Sequence, residues 1–401
     1  MKRFSDLVWD VITSLKLTIA CLLTLMVLVV ACTIAQVYLG TWGAVEIFMY
    51  RWLVWLHLPG TDWSIPVLPG GALVFAVLLA NLIAAQVRRL EWSWKKSGIW
   101  IAHLGLVLLI TGGFVTSRAQ RETQLAIEEG QTVNFVESPR EMELALIDRT
   151  DPAYDDVYSI PALSLAGRDA VAIPGTPVVL RVRGYFRNCD LSPRQEGEGP
   201  SLATQGVGVT TTVVPQPPVS RDEEINRSAA FVEPLVAGQS MGTWLVSNGL
   251  GKDQAFSAGG RTYSILMRNL REYLPYAVTL KRFRHDVYQG TDIPLNFSSL
   301  VRIDNPSRGE SRDVLIYMNQ PLRYEGKTFY QASFGKNDTL SVLQVVQNPG
   351  WLMPYIACVL VVLGLLVQFG ISFRRAMLAQ VARDSAAEET AKAAAPRKVW
   401  R

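Results

Sequence analysis

The side chains able to do chemistry in this chain of 401 residues are few: 3 histidines, 4 cysteines and 9 methionines. His103 stands in Gly98-Ile-Trp-Ile-Ala-His-Leu-Gly-Leu-Val-Leu-Leu-Ile-Thr-Gly-Gly113, a run that otherwise reads as a membrane-spanning helix. A charged side chain at the centre of a span costs about 2.5 kcal/mol or more. A neutral imidazole costs less, but its two ring nitrogens still need partners. A metal such as haem iron is one partner; a hydrogen bond to a neighbouring helix is the other solution. Iron held between two imidazoles needs two histidines within the membrane. This chain offers one, so a second would come from another subunit. Met26, Met353 and Cys358 are conceivable intrachain ligands, but such residues are more often ordinary core residues.

The other polar candidates have plainer readings. His57, beside Trp52 and Trp55, reads as an interfacial belt residue on the leaflet opposite His103. His285, in Arg282-Phe-Arg-His-Asp286, follows a predicted strand and reads as a surface or loop-bonded histidine. Cys21, Cys32 and Cys358 fall inside spans. Cys189 is alone in the segment between spans, with neither a disulfide partner nor a CxxC pair, and reads as buried and inert; a mixed disulfide with another protein is the rival reading. The stretch Arg268–Arg284 could attract haem propionates or a partner, against a solvated strand face. Gly98, Gly105 and Gly112 recur every seven residues, a small-residue stripe that admits close approach of a helix or a ligand. No Gly-rich phosphate loop, nucleophile elbow or HExxH pattern occurs, so no catalytic residue is assigned.

These residues must be positioned by four spans, near 17–38, 67–87, 98–116 and 352–373. The first follows Met1-Lys2-Arg3 but is long and lacks a small-residue cleavage site, so it reads as an uncleaved anchor. Lys2 and Arg3, then Arg88, Arg89, Lys95 and Lys96, then Arg374, Arg375 and the tail lie on one side if there are four spans. The positive-inside rule makes that side cytoplasmic. Both termini are then cytoplasmic in the bacterial inner membrane, and residues 117–350 face outward. His103 lies about 7–8 Å inside the cytoplasmic edge. The chain thus divides into an N-terminal membrane domain 1–116, an outer domain 117–350, a fourth span 351–373 and a basic tail 374–401. The net charge is +4. Its basic excess sits in anchors and tail, facing lipid, and nothing points to nucleic acid.

Between the first two spans, residues 44–58 are apolar and aromatic and read as an interfacial amphipathic helix. The outer insert reads as a mostly antiparallel β domain, a sandwich or open barrel. Its predicted strands are Val178–Arg183, Val207–Val214, Arg261–Leu266, Ala277–Phe283, Ser298–Ile303, Asp313–Met318, Lys327–Ala332 and Thr339–Val346. Pro193–Pro200 and Pro215–Glu224 read as exposed loops, and Phe231–Gly251 as room for a short helix. The fold class is therefore a membrane protein, α + β, with three N-terminal spans and one C-terminal span.

Several motifs resemble the ResB (CcsB) family of System II cytochrome c biogenesis. They are Ser14-Leu-Lys-Leu-Thr18, Thr33-Ile-Ala-Gln36, the Trp100–His103–Gly105 span, Tyr288-Gln-Gly-Thr291 and Pro294-Leu-Asn-Phe-Ser-Ser299. Met318-Asn-Gln-Pro-Leu-Arg-Tyr-Glu-Gly326, Phe329-Tyr-Gln-Ala-Ser-Phe-Gly335 and Asn348-Pro-Gly350 complete the series. The family usually ends its first span with Gly-Thr…Pro-Gln; here Thr33 and Gln36 remain without the Gly and Pro. The Trp-rich segment of the CcsA partner is absent, so the chain resembles the ResB half alone. The resemblance implies a component of a cytochrome c synthase (haem lyase) complex, not catalytic alone. Haem b would be a transient ligand, held at His103 with a histidine of a CcsA-type Trp-rich membrane protein. Apocytochrome c, a thiol-reducing thioredoxin-like protein and the bilayer complete the implied partners. Tyr324, Phe329, Tyr330 and Phe334 are candidates for docking, against core packing. The alternative is a membrane scaffold or apocytochrome chaperone of the same pathway that binds no haem.

Overall fold

The computed structural model describes residues 4–57, 63–88, 93–195, 197, 199–219, 225–290, 294–336 and 338–394. Lys2, Arg3, Arg89, Thr291, Arg397, Lys398 and Arg401 fall outside these, as do the side chain of His57 and parts of the predicted loops Pro193–Pro200 and Pro215–Glu224. The chain divides into two compact units, Met1–Gln120 with Asn348–Arg401, and Arg121–Gln347.

The first unit contains α1 (Phe4–Ile12), α2 (Leu15–Val45), α3 (Gly71–Arg88), α4 (Ser97–Ala119) and α5 (Met353–Ala394). Four stretches are long and apolar enough to cross a membrane: Leu15–Tyr50, Gly71–Arg88, Trp94–Ala119 and Met353–Ala387. They turn large apolar side chains outward, such as Leu22, Val30, Val37, Leu366 and Phe369, the reverse of a water-soluble bundle. A polar knot sets the corner between α1 and α2. Buried Asn81 of α3 donates to the carbonyls of Ile12 (2.5 Å) and Ser14 (3.1 Å) and accepts from Thr18 Oγ1 (2.6 Å). Ser14 also caps α2 by accepting from the Lys16 amide. Arg88 reaches back to Asp10 (2.5 Å) and Thr13 (2.6 Å). The Ser14-Leu-Lys-Leu-Thr18 motif thus carries two members of this knot.

Residues 44–58 are not one interfacial helix. α2 bends at Gly40, where φ is 71°, and ends in a single π-turn at Glu46–Tyr50. Leu53–His57 then pairs antiparallel with Ser64–Pro69. Pro66 and Pro69 exclude helix in the second arm, and the Leu-Val-Trp-Leu run of the first suits a strand. The third helix consequently starts at Gly71 rather than near Val67. Glycine is required at the return, because a Cβ on Gly70 would stand 2.0 Å from the Arg51 carbonyl oxygen.

The second unit holds a ten-stranded and a five-stranded antiparallel sheet. Arg261–Val287, 27 residues long, runs through the larger sheet and serves two cores. Its first half lies with Thr132–Asp148, Asp156–Pro161 and Gln254–Ala258 over the five-stranded sheet. Leu144, Leu146, Ile265 and Met267 meet Leu180, Val232 and Val246 in that sandwich core. Its second half curls with its neighbours around Leu125, Leu280, Val301, Ile316, Phe329 and Leu343. Tyr324 closes this seam by donating to Glu310 (2.8 Å) and accepting from Asn305 Nδ2 (2.9 Å). Sandwich and open barrel therefore occur in one domain. Its first strand, Arg121–Glu128, pairs in full with its last, Leu340–Gln347.

Several sequence expectations need correction. Arg261–Leu266 and Ala277–Phe283 belong to one continuous bulged strand. Phe231–Gly251 holds strands, not a helix: Ala229–Val236, Gln239–Ser240 and Trp244–Ser247. The run Ala-Ala-Phe-Val-Glu-Pro-Leu-Val is buried on both faces, so it lacks the alternation that marks a half-buried strand. Val207–Val214 opens as a 3-10 turn at Gly206–Thr210 and becomes strand only at Thr211–Pro215.

Glu233, within the five-stranded sheet, links this packing to pH. The Ser240 hydroxyl holds its carboxyl below the ordinary value, burial opposes this, and Arg183 (2.6 Å) and Arg181 (3.4 Å) add to it. A depressed carboxylate stabilises the fold fully above its unfolded value, here 4.5, and the stabilisation is lost as pH falls through the lower folded value. Urea melts of Glu233→Gln at a series of acidic pH values should therefore lose less stability on acidification than the parent chain does.

Candidate functional site

His103 is the seventh residue of α4, about 9 Å along the helix from Ser97. The helix follows a 3-10 turn at Trp94–Lys96, whose first turn is capped by Ser93. Its small-residue face is filled by α5. A Cβ on Gly98 would lie 2.4 Å from the Gln368 nitrogen, and one on Gly105 2.8 Å from the Ala357 oxygen. Reciprocally, a Cβ on Gly364 would lie 2.4 Å from the Ala102 nitrogen. The stripe thus admits a helix, with backbone against backbone. Gly113, off this face, has open space before it.

One residue beyond buried Ala102, the His103 ring is turned about 100° away from the α5 contact and is half-buried. Nδ1 lies 2.8 Å from the carbonyl oxygen of Ile99, one turn back. A carbonyl oxygen only accepts, so Nδ1 carries the proton and Nε2 presents its lone pair. Among the described residues nothing hydrogen-bonds Nε2, so no neighbouring helix of this chain satisfies it. Histidines that ligate a metal through one nitrogen commonly donate the other N–H to a backbone carbonyl, which fixes the tautomer and the ring orientation.

The alternative intrachain ligands are not assembled around it. Met353 packs at Gly112, about 13 Å farther along α4; Met26 and Cys358 are exposed on α2 and α5. Among the described residues no three His, Cys, Asp or Glu side chains cluster as a metal site.

Elsewhere the predicted residues are mostly structural. His57 lies in the strand Leu53–His57. His285 stacks on Phe297 (4.7 Å) and lies tilted against Phe334 (4.4 Å), in a cluster of three rings, with Nδ1 3.1 Å from Asp338 Oδ1 in the loop after Lys327–Gly335. Cys189 is buried and donates to the Arg227 carbonyl, and burial pushes its thiol up to about 11. It is poorly placed to attack a disulfide, which removes the mixed-disulfide reading. Of the aromatic candidates, Tyr324 and Phe329 are core residues, while Tyr330 and Phe334 are exposed. Glu325 (φ 48°) and Gly326 (φ 73°) form the turn that returns Leu322–Tyr324 onto Lys327–Gly335, which accounts for the Tyr-x-Gly spacing.

The Arg268–Arg284 stretch splits in two. Arg268 and Arg271 pair within the sheet with Glu143 (2.7 Å) and Glu137 (2.8 Å). Arg282 and Arg284 line a surface depression with Asp286, Leu300, Leu315 and Tyr317. Sequence reasoning did not find that depression. Its signal was the Arg-x-Arg alternation, which puts both charges on one face of a strand.

Four helices long and apolar enough to cross a membrane, with a large antiparallel β domain between the third and fourth in sequence, fit a membrane protein with a β-rich insert. Residues 236–342 match the model of the ResB-like family. A stretch of 114 residues is 32% identical to Protein NrfI of Wolinella succinogenes, covering 28% of this chain and 13% of the length of NrfI. The likeness to the ResB-like family thus rests on residues 236–342, and the chain spans 13% of the length of the relative it matches.

Proposed function

We propose that this chain acts in cytochrome c biogenesis as the ResB-type membrane subunit of a System II complex. In that complex it presents His103 as one axial ligand for haem b within the bilayer. The observation that carries the proposal is the free Nε2 of His103 on a ring fixed through Nδ1 by Ile99. The residues of the chain supply one such ligand, so the second histidine belongs to a CcsA-type Trp-rich partner. The likeness of residues 236–342 to the ResB-like family supports a role beside other proteins of this pathway, with apocytochrome c as the acceptor. The distribution of lysine and arginine favours cytoplasmic termini and an outward β domain in the inner membrane. His103 then lies nearer the cytoplasmic leaflet, on the side where haem is made available.

In this role the chain binds and orients its cargo rather than breaking bonds. Iron coordination by imidazole is the chemistry that haem itself brings to the site. Ile99 sets the tautomer, and the α4–α5 contact through Gly98, Gly105 and Gly364 holds the helix that carries the ring.

The experiment is to purify the chain with its CcsA-type partner and record the haem spectrum for the parent and for His103→Ala, with and without added imidazole. The expected result is loss of the bis-imidazole spectrum and of cytochrome c maturation in His103→Ala, with imidazole restoring the spectrum. Unchanged haem retention and maturation would leave a scaffold or apocytochrome chaperone as the function of the chain.

A further inference from the structure

On the strands around the second core, basic side chains mostly find a carboxylate within the domain. Asp313 takes both Lys281 (2.6 Å) and Arg302 (3.0 Å), which hold it below the usual carboxylate range. Arg312 meets Glu310, Arg308 meets Glu325, and Lys327 meets Glu272, each at 2.6 Å. Arg282 and Arg284 are different. Both are exposed, and among the described residues neither has an ion pair.

They lie two residues apart on Arg261–Val287, so their Cα atoms are about 7 Å apart on one face. The register sets Leu300 beside Arg282 and Ser298 beside Arg284, with Leu315 and Tyr317 opposite these on the next strand. Together with Asp286 and Asn296 they line an open depression of about 440 Å³, in which the two guanidiniums outnumber the single carboxylate. Phe283, Ser299 and Ile316 alternate with them and are buried on the opposite, core-facing side. The depression is therefore on the outer face of the sheet.

The composition decides the class of occupant. A small anion would satisfy two guanidiniums and leave the leucine and tyrosine surface wet. Arginine beside tyrosine, without lysine, is favoured at the centre of a protein interface, and the leucines beside them are apolar surface that a polypeptide can cover. We propose that this depression docks an acidic segment of a partner polypeptide. Its carboxylates pair with Arg282 and Arg284, and its apolar side chains cover Leu300, Leu315 and Tyr317. The proposal uses no residue of α4 and stands whether or not His103 binds haem.

The test places benzoylphenylalanine at Leu315 in the full-length protein in its native membrane, irradiates it, and sequences the attached peptide. The expected product is one polypeptide, attached within a segment that carries Asp or Glu. Arg282→Glu with Arg284→Glu should cut its yield by about ten-fold, and Arg282→Lys with Arg284→Lys should keep most of it. Changing the acidic residue of the attached segment to Arg should restore the yield with the charge-reversed chain. If charge reversal lowers the melting temperature, Arg282→Gln with Arg284→Gln replaces it, with the yield again expected to fall several-fold. Attachment to phospholipid, attachment to no polypeptide, or a yield indifferent to charge would overturn the proposal.

Discussion

Gly364→Leu is expected to separate α5 from α4 and to lower the melting temperature of the detergent-solubilised protein sharply. A Cβ at this position would stand 2.4 Å from the Ala102 nitrogen and 2.6 Å from the Gly98 oxygen. Both obstacles are helix backbone, which cannot turn aside as a side chain can. Overpacking of side chains typically costs about 1–3 kcal/mol; against backbone the cost should lie at or beyond the upper end. Little hydrophobic force replaces a lost helix contact in lipid, where close packing itself drives association. Gly113→Leu is the control, because nothing lies within 4 Å of its Cβ direction, and it should melt close to the parent. A thiol-reactive dye reporting on exposure of the span cysteines would follow both. Equal melting of Gly364→Leu and Gly113→Leu would refute the backbone contact.

The second large effect concerns the β domain. Glu143→Ala is expected to destabilise it by about 3–5 kcal/mol. Glu143 is 1% exposed and Arg268 13% exposed, and they meet at 2.7 Å; the Ser159 hydroxyl donates to the other carboxylate oxygen. Removing the acid leaves a guanidinium without its counter-charge between strands Thr132–Asp148 and Arg261–Val287. Removing both partners should be milder, because buried pairs replaced by apolar side chains of similar volume are often neutral. Glu143→Met with Arg268→Met should therefore recover most of the loss. Denaturant melts followed by near-ultraviolet dichroism measure both, and a double variant as unstable as Glu143→Ala would show that the pair contributes net stability.

The four spans were legible because twenty apolar residues in a row have few other uses. The Gly98–Gly105–Gly112 stripe was legible as a close contact, but what fills it was not, since α5 lies some 250 residues away in sequence. The outward strands Ser298–Ile303 and Lys327–Ala332 showed alternation because one face meets water. Ala229–Val236 did not, because both its faces are buried. Arg121–Glu128 hid behind its charged residues, which occupy the exposed positions of a real strand. The hairpin at Leu53–His57 was missed because composition, without its second arm, reads the same in helix and strand. At the site, the type of His103 spoke for a ligand. The identity of its proton-bearing nitrogen needed the Ile99 carbonyl, which only helix geometry supplies.

The first and last strands of the β domain are paired along their whole length, Leu125 opposite Leu343 and Glu122 opposite Val346. The chain therefore enters and leaves this 227-residue unit (121–347) side by side. Such an insert behaves as a short loop once folded and as a very long one before. The entropy of closing it falls on the folding of the domain rather than on the meeting of α4 and α5. A ribosome must also deliver residue 347 before the sheet can be completed, so a nascent chain truncated ahead of it would carry Arg121–Glu128 as an open edge. Late synthesis is thus when this protein is most exposed to aggregation.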